Sequence, residues 1–314
     1  MQTYKLIAPA KINLYLEIIG DRPDGYHELV MIVQSIDLAD HLEIRPNGTQ
    51  NFHLICSHPQ VPTDETNLAY RAAQLMKQEF SKAFANYGGV DITIDKRIPV
   101  AAGLAGGSTD AAGVLVGLNL SWELGLTLPE LQQLGQKLGS DVPFCLAGGT
   151  VIATGRGEKL DPIEDLENLW VVLAKYKSLE VSTPWAYQTY RKQFGQEYIS
   201  DRPGVQSRTL KVHSGPLVQA ISHKDKTKIG QLLHNDLEKV VLPEHPQVNH
   251  LRNILQQSGG LGTMMSGSGP TVFTLCQSQE EAETIKNKAK LVISDPNLEF
   301  WVTRLSSTGI KVIS

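Results

Sequence analysis

Cysteine is scarce in this sequence, where Cys56, Cys145 and Cys276 are the only three among 314 residues. They are odd in number and far apart, so the sequence offers neither a disulfide framework nor the close spacing of zinc ligands. This excludes the small disulfide-rich secreted class and favours a reducing compartment. We expect no protein metal centre and a cytoplasmic location, or the plastid stroma if a transit peptide was removed.

Long hydrophobic runs and an excess of positive charge are also missing. No apolar stretch approaches the roughly 20 residues of a membrane span, and the N-terminus lacks the pattern of a secretory signal. The net charge is −4, with 29 Lys and Arg against 33 Asp and Glu, whereas nucleic-acid surfaces need clustered positive charge. We therefore expect a soluble globular protein with no membrane or nucleic-acid partner.

A period-two alternation marks the first predicted strand, which covers residues 4–19 with an interruption near Pro9. On this alternation Lys11 and Asn13 point the same way, away from the apolar side. The apolar positions assigned to the opposite face are Ile12, Leu14, Leu16 and Ile18.

Strands and helices are mixed along the chain in an order that predicts the α+β class, with helices on an antiparallel sheet. A Gly-rich, acidic stretch at residues 155–168 is taken as the boundary between domains of residues 1–160 and 161–314. Residues 191–213 are polar and weakly patterned, and we predict a loop-rich segment there. Strands are predicted at 29–45, 52–56, 90–98, 169–174, 261–265, 271–276 and 299–305, and helices at 64–80, 108–120, 127–138, 246–257 and 279–291.

Residues 99–110 carry the most information about function. Their sequence, Pro-Val-Ala-Ala-Gly-Leu-Ala-Gly-Gly-Ser-Thr-Asp, joins a predicted strand to a helix whose N-cap we expect at residues 108–110. Free amides at a helix start favour an anion, and glycine lets the backbone approach phosphate closely. The hydroxyls of Ser108 and Thr109 can donate to phosphate as well. The segment therefore predicts a phosphate-binding loop.

The common phosphate-binding signatures do not describe this loop. It lacks the Gly-Lys-Ser/Thr ending of a Walker A loop and the Gly-x-Gly-x-x-Gly spacing of dinucleotide-binding folds. The sequence also lacks the His-Arg-Asp and Asp-Phe-Gly motifs of protein kinases. On the local pattern alone, a glycine-rich connection that only lets a helix pack on a strand remains an alternative.

Three blocks in sequence order resemble the GHMP kinases, a family that includes galactose, homoserine, mevalonate and phosphomevalonate kinases. They are residues 9–14 (PAKINL), the loop described above, and residues 266–273 (SGSGPTVF). The resemblance spans almost the whole chain, so it is far more specific than any single block. It implies a small-molecule kinase with ATP as co-substrate and Mg²⁺, in a two-domain α+β GHMP kinase fold. The N-terminal domain would be like ribosomal protein S5 and the C-terminal domain ferredoxin-like.

The resemblance also implies roles for individual residues. Lys11 and Asp141 take the catalytic positions, where Asp141 accepts the proton of the substrate hydroxyl and Lys11 beside it keeps it ionised. An Asp with a pKa near ~4 is a weak base, which suffices where the transition state of phosphoryl transfer is loose. The residues in ATP-binding positions are Asn67, Lys96, Pro99, Val100, Ala101, Ala102, Gly103, Leu104, Ala105, Gly106, Gly107, Ser108 and Thr109.

Further blocks are similar to those family members that phosphorylate the 2-hydroxyl of a cytidine diphosphate-linked methylerythritol. By this resemblance Tyr26 and Tyr187 stack on the two faces of cytosine, at roughly 1–3 kcal/mol per base, and His27 contacts its polar edge. Asn13 and Thr183 contact the same substrate. The blocks are residues 22–27, 138–144 and 182–184.

Two other functions stay open. Another GHMP kinase, with a different alcohol or sugar as acceptor, would not need Tyr26 and Tyr187 to face each other across a pocket. A catalytically silent nucleotide-binding module would bind ATP and form no ADP, and the presence of both Lys11 and Asp141 argues against it. We expect a monomer or a weak homodimer.

Several of these residues also have a purely structural interpretation. Lys11 fits an exposed strand face, Asp141 fits a helix N-cap, and Asn67 fits the start of the helix at 64–80. Alanine stands at three loop positions where many relatives have glycine, and alanine tolerates positive φ poorly. These positions are 101, 102 and 105.

Overall fold

The computed structural model describes residues 2–313, and its mixture of strands and helices confirms the α+β class. The predicted strands are present, with ends that differ by a few residues from the sequence pattern. Within the described residues the strands are β1 (Tyr4–Asp21), β2 (His27–Pro46), β3 (His53–Cys56), β4 (Val90–Asp95), β5 (Thr150–Gly155), β6 (Lys159–Pro162), β7 (Trp170–Tyr176), β8 (His234–Asn235), β9 (Gly262–Met265), β10 (Val272–Cys276), β11 (Leu298–Ser306) and β12 (Lys311–Val312).

The five predicted helices are also present, together with several that the sequence pattern did not predict. A capping box between Thr127 and Glu130 begins the helix predicted at 127–138, and Gly139 ends it. Among the described residues, every helix is too short or too polar to span a lipid bilayer. The helices are α1 (Leu68–Glu79), α2 (Ser81–Tyr87), α3 (Gly106–Ser121), α4 (Leu128–Leu138), α5 (Val142–Ala147), α6 (Thr183–Phe194), α7 (Arg202–His213), α8 (Pro216–Ser222), α9 (Lys226–Gln231), α10 (Glu238–Glu244), α11 (Pro246–Ser258) and α12 (Gln279–Val292).

Strand β2 is the centre of the N-terminal half of the molecule. One edge pairs antiparallel with β1 along nearly its whole length. The other edge pairs in succession with β5, β11 and β4, all antiparallel. Helices α1, α3 and α5 pack together over this sheet, with α3 against both β1 and β2. The long β1–β2 pair therefore supports the helix that follows the predicted phosphate loop.

The C-terminal half is a ferredoxin-like unit. Strand β7, helix α11, strands β9 and β10, helix α12 and strand β11 occur in the order βαββαβ, with α6 to α10 and β8 inserted between β7 and α11. The spatial strand order is β11-β7-β10-β9, and each neighbouring pair is antiparallel. The buried positions of α11 are Val248, Leu251, Ile254 and Leu255, whose spacing of three or four residues is typical of one helix face.

The end of the chain joins the two halves. Strand β11 pairs with β7 through residue 304 and then with β2 at Leu305 and Ser306. Strand β12 pairs with β1, and β8 adds a short parallel pairing to β1. The boundary near residue 160 remains a prediction, since strands from beyond it complete the sheet of the first half.

The single apolar face predicted for β1 is wrong. The pairing of β1 with β2 shifts register between Asn13 and Tyr15, so Leu14 is an extra residue, and such a bulge reverses the alternation that follows it. Ile12 and Leu14 therefore belong to one buried cluster, whereas Leu16 and Ile18 belong to the other. Both faces of β1 are covered by protein.

The loop predicted at residues 191–213 is also wrong, because α6 continues to Phe194 and α7 follows at Arg202. Asp201 accepts from the amide of Gly204 at 2.8 Å, and Pro203 lies in the first turn, a common helix start. Within helix α7 only Val212 is buried, so the helix shows little apolar periodicity. Its Arg208 pairs with Glu17 of β1 at 2.6 Å.

Candidate active site

One cavity of about 730 Å³ gathers the predicted site residues from β1, the loop before α3, and the starts of α5 and α6. All of them line it except Thr109, which is fully buried in α3. Lys11 and Asp141 share this cavity with the phosphate loop, and so do Tyr26 and Tyr187. Residues far apart in sequence therefore meet in one place.

Helix α3 begins at Gly106, so the N-cap predicted at residues 108–110 is wrong. Ala105 takes the N-cap position in the left-handed conformation, which turns the chain into the helix without a side-chain cap. The first helical bond runs from the Thr109 amide to the Ala105 carbonyl at 2.9 Å, so the amides of Gly106, Gly107 and Ser108 lack helical acceptors. These three residues line the cavity, and the helix start there favours an anion.

The loop is held in place by a glycine-rich turn from the other half of the chain. Ser266 Oγ donates to the carbonyl of Gly103 at 3.2 Å. Gly103 has φ +74°, and a Cβ on it would lie 2.3 Å from the Ser266 carbonyl oxygen, so a larger residue does not fit. The amide of Lys11 donates to the Leu104 carbonyl at 3.2 Å, which ties the loop to β1 as well.

Replacing Ala105 by glycine should stabilise the protein by about 1 kcal/mol. Ala105 has φ 58°, a conformation that costs an L-residue roughly 1–2 kcal/mol, while glycine's extra freedom in the unfolded chain offsets ~0.4–1 kcal/mol. Denaturant unfolding of Ala105→Gly measures the effect. Ala102→Gly is the matched control: Ala102 is buried without positive φ, so it should lower stability. A loss of stability in Ala105→Gly would contradict the strain argument.

Lys11 and Asn13 share a face of β1, as predicted, but this face is not exposed. Lys11 is 5% and Asn13 1% exposed, so the surface-lysine interpretation is wrong. Lys11 Nζ donates to Asn13 Oδ1 at 2.7 Å rather than to Asp141. Lys11 takes part in no ion pair among the described residues, so its side chain remains available to a ligand in the cavity.

Asp141 stands directly before α5 and is its N-cap by position. Its side chain makes no capping hydrogen bond, and its backbone is already helical, with φ −82° and ψ −16°. Asp141 therefore occupies the N-cap position, but its carboxylate does not cap the helix. The carboxylate lines the cavity, where it can accept a proton.

Tyr26, His27 and Tyr187 form an aromatic section of the cavity wall. Tyr26 is 52% exposed, and the His27 and Tyr187 rings lie 5.1 Å apart, tilted by 34°. Burial, followed by the charge of Arg191, lowers the pKa of His27, so its ring is neutral at neutral pH. Its Nε2 is buried and has no hydrogen-bond partner among the described residues. Such a nitrogen suits the polar edge of a base.

Asn67 and Lys96 line the cavity, but their side chains are engaged within the protein. Asn67 is the N-cap of α1, and neighbouring main-chain groups use both its amide oxygen and its amide nitrogen, which confirms the helix-start interpretation. Lys96 Nζ donates to Asp40 and Asp110, each at 2.6 Å. Thr183 shares a hydrogen bond of 2.7 Å with Ser268 of the glycine-rich turn.

Two arginines on the cavity wall were missed in the sequence analysis. Arg156, in the turn between β5 and β6, holds its guanidinium 5.1 Å from the centre of the Tyr26 ring. Arg191, in α6, donates to Asp21 at 2.8 Å and to the Gly25 carbonyl at 3.3 Å. The glycines on both sides of Arg156 could have marked it as a turn residue. Arg191 could not be predicted as a site residue, because the sequence of its segment shows no helical pattern.

The family comparison agrees with this geometry. Residues 67–149 match the family described as GHMP kinases N terminal domain, and residues 217–294 match the GHMP kinases C terminal family. Together these matches cover more than half of the chain.

Two relatives are similar to this chain over its full length. A protein of Gloeothece citriformis named 4-diphosphocytidyl-2-C-methyl-D-erythritol kinase is 72% identical over 312 residues, covering 99% of both chains. A Synechocystis protein of the same name is 59% identical over 314 residues, covering 100% of both.

Two solved kinase structures are also similar to this chain over nearly its full length. A crystal structure of 4-(cytidine 5'-diphospho)-2C-methyl-D-erythritol kinase has a TM-score of 0.73 at 31% identity and covers 96% of this chain and 99% of its own. Homoserine kinase from Cytophaga hutchinsonii, at 20% identity and a TM-score of 0.77, shares the fold over 100% and 98% of the two chains. This chain therefore belongs to the GHMP kinases and is an ATP-dependent enzyme that phosphorylates a small molecule.

Proposed function

We propose that the chain transfers the terminal phosphate of ATP to the 2-hydroxyl of 4-diphosphocytidyl-2-C-methyl-D-erythritol, a step in non-mevalonate isoprenoid synthesis. The observation that carries the proposal is a single cavity that contains a phosphate loop, a free ammonium and carboxylate, and an aromatic wall with two arginines. The full-length relatives with this activity in their names support the choice of acceptor.

Asp141 and Lys11 serve the chemical step. The substrate oxygen attacks the γ-phosphorus, its proton passes to the Asp141 carboxylate, and the bond to the β-phosphate oxygen breaks to release ADP. The Lys11 ammonium, held by Asn13 at 2.7 Å, lies in the same cavity and stabilises negative charge that develops on the transferred group. Positioning and charge supply most of the catalysis in such a transfer.

A Mg²⁺ ion would accompany ATP and would be held mainly by phosphate oxygens and water, as is usual for this ion. The Asp141 carboxylate, which makes no capping hydrogen bond, lines the same cavity and would be the protein group available to it. When bound, the ion would neutralise negative charge on the phosphates.

The aromatic wall selects the cytidine part of the acceptor. Tyr26 and Tyr187 offer π-faces to the cytosine ring, and the unpartnered Nε2 of His27 serves its polar edge. Arg156 and Arg191 place two guanidinium groups on the same wall, and guanidinium binds phosphate oxygens well. These groups suit the diphosphate that links cytidine to methylerythritol.

An ADP-release assay with a panel of acceptors tests the proposal. We expect rapid ADP formation with the cytidine diphosphate-linked methylerythritol and little with mevalonate, homoserine or galactose. A preference for one of the latter three would assign the chain to another GHMP activity. ATP binding without ADP formation for any acceptor would support a silent nucleotide-binding module.

Replacing Tyr26 by alanine should raise KM for the cytidine substrate roughly 5- to 150-fold, because stacking is worth ~1–3 kcal/mol per base. KM for ATP should change little, since the phosphate loop is untouched. Steady-state kinetics of Tyr26→Ala and of Tyr26→Phe, which keeps the aromatic face, measures the effect. An unchanged KM in the alanine variant, or an equal loss in both variants, would contradict a stacking role.

A further inference from the structure

A buried cluster of three charged residues lies under the start of α3. Asp40 of β2 is fully buried, Lys96 follows β4, and Asp110 is in the second turn of α3 and 2% exposed. Lys96 Nζ lies 2.6 Å from Asp40 Oδ2 and 2.6 Å from Asp110 Oδ2. Two carboxylates therefore share one ammonium in a site with little access to water.

The two carboxylates are not equivalent. Asp40 Oδ1 also accepts from the amides of Arg97 at 2.6 Å and Ile98 at 2.8 Å, so its negative charge is well satisfied. Asp110 accepts no main-chain amide: its Oδ2 accepts from Lys96, and its Oδ1 is buried without a hydrogen-bond partner among the described residues. With both acids ionised the cluster carries a net buried charge of −1. Asp110 is therefore the acid at which a proton is held most readily.

This cluster touches the phosphate-binding end of the cavity. Lys96 and Asp110 both line the cavity, and a Cβ placed on Gly106 would lie 3.0 Å from Lys96 Nζ. Asp110 is four residues after Gly106 on the same helix, which places it ~6 Å along the helix axis from the free amides. A negative charge at this distance in a buried site opposes a bound polyphosphate by more than it would in water.

We propose that Asp110 is a proton-linked positioning residue of the nucleotide site, which takes up a proton when the loop binds the triphosphate of ATP. The neutral acid still accepts from Lys96, so the ammonium stays under the helix start while the cluster loses its excess negative charge. This inference rests on ATP binding at the loop, and it adds a residue and a proton that the phosphate-transfer step itself does not require.

The electrostatic surroundings agree with this assignment. The pKa of Asp110 is raised to about 8, mainly by burial. The charge of Lys96 lowers this pKa, whereas the charge of Asp40 raises it further. Burial lowers the pKa of Lys96, but the two carboxylates outweigh burial and raise it above its ordinary value, so the lysine stays charged. The other titratable groups that act on Asp110 or feel its charge are Cys56 of β3 and Cys145 of α5.

Calorimetric titration of the full-length enzyme with ATP and MgCl₂, without an acceptor, tests the proposal between pH 7 and 9. Phosphate groups titrate near pH 6, so ATP itself exchanges few protons in this range. Asp110 binds more protons in the complex than in the free enzyme, so ATP affinity must fall as the pH rises through the pKa of Asp110. We expect affinity about tenfold weaker at pH 9 than at pH 7, and fractional proton uptake that depends on buffer ionisation enthalpy.

Asp110→Asn is the test variant, because asparagine keeps an acceptor for Lys96 and cannot titrate. It should bind ATP with a flat pH profile and without the proton uptake seen in the wild type. Asp95→Asn is the matched control: it removes an exposed charge at the end of β4, where Asp95 pairs with Arg97, and it should keep the wild-type profile. Normal ATP binding without proton uptake in the wild type, or equal uptake in Asp110→Asn, would overturn the inference. Failure of the wild type to bind ATP would instead refute the nucleotide site itself.

Discussion

Asp141→Asn should lower kcat by roughly 10²–10⁴-fold and leave the affinity for ATP nearly unchanged. Asparagine has almost the same shape as aspartate and cannot accept the proton of the substrate hydroxyl, and loss of a positioned general base costs about this factor. The fold should tolerate the change, because the Asp141 side chain makes no capping hydrogen bond to α5. Single-turnover kinetics under saturating substrates measures the chemical step directly.

A control variant separates this effect from a general loss of negative charge. Asp161→Asn removes a mostly exposed carboxylate on β6, and it should leave kcat unchanged. If Asp141→Asn turned over at more than about a tenth of the wild-type rate, Asp141 would not be the base, since a general base contributes far more than that.

Lys11→Met should lower kcat by roughly 10²–10³-fold, which is the usual cost of removing one preorganised group that stabilises transition-state charge. Methionine fills much of the same volume in the buried site, so the loss should come from the missing charge. The effect should be larger on kcat than on KM, because the developing charge exists mainly in the transition state.

Lys5→Met is the matched control for this variant, because Lys5 lies on the same strand and is exposed. It should behave like the wild type. A Lys11→Met enzyme with normal kcat and raised KM would show that Lys11 binds substrate and takes no part in the transition state. Thermal unfolding of both variants checks that the strand is intact.

Sequence patterns predicted the structure best where the stabilising contacts lie within a few residues of one another in the chain. The capping box at Thr127 and Glu130 and the buried positions of α11 follow from contacts three or four residues apart. The glycines before α3 predicted a phosphate loop, because their backbone freedom is a local property. The approximate place of each predicted helix and strand could be derived in the same way.

Sequence patterns failed mainly where the structure depends on contacts between residues that are far apart in the chain. The bulge at Leu14 depends on how β1 pairs with β2, and it reversed the face of Leu16 and Ile18. The helix at 202–213 buries too little to show a pattern. The ion cluster of Lys96 brings together residues 56 and 14 positions away, and no local rule could have found it.

The hydrogen bond from Ser266 to the Gly103 carbonyl has a consequence for the newly synthesised chain. The phosphate loop leaves the ribosome long before the turn that holds it, because Gly103 and Ser266 are 163 residues apart and the turn forms only when β9 and β10 pair. A growing chain that stops short of Ser266 therefore lacks this support for the loop. Such incomplete products of translation should hold a nucleotide less firmly than the finished enzyme.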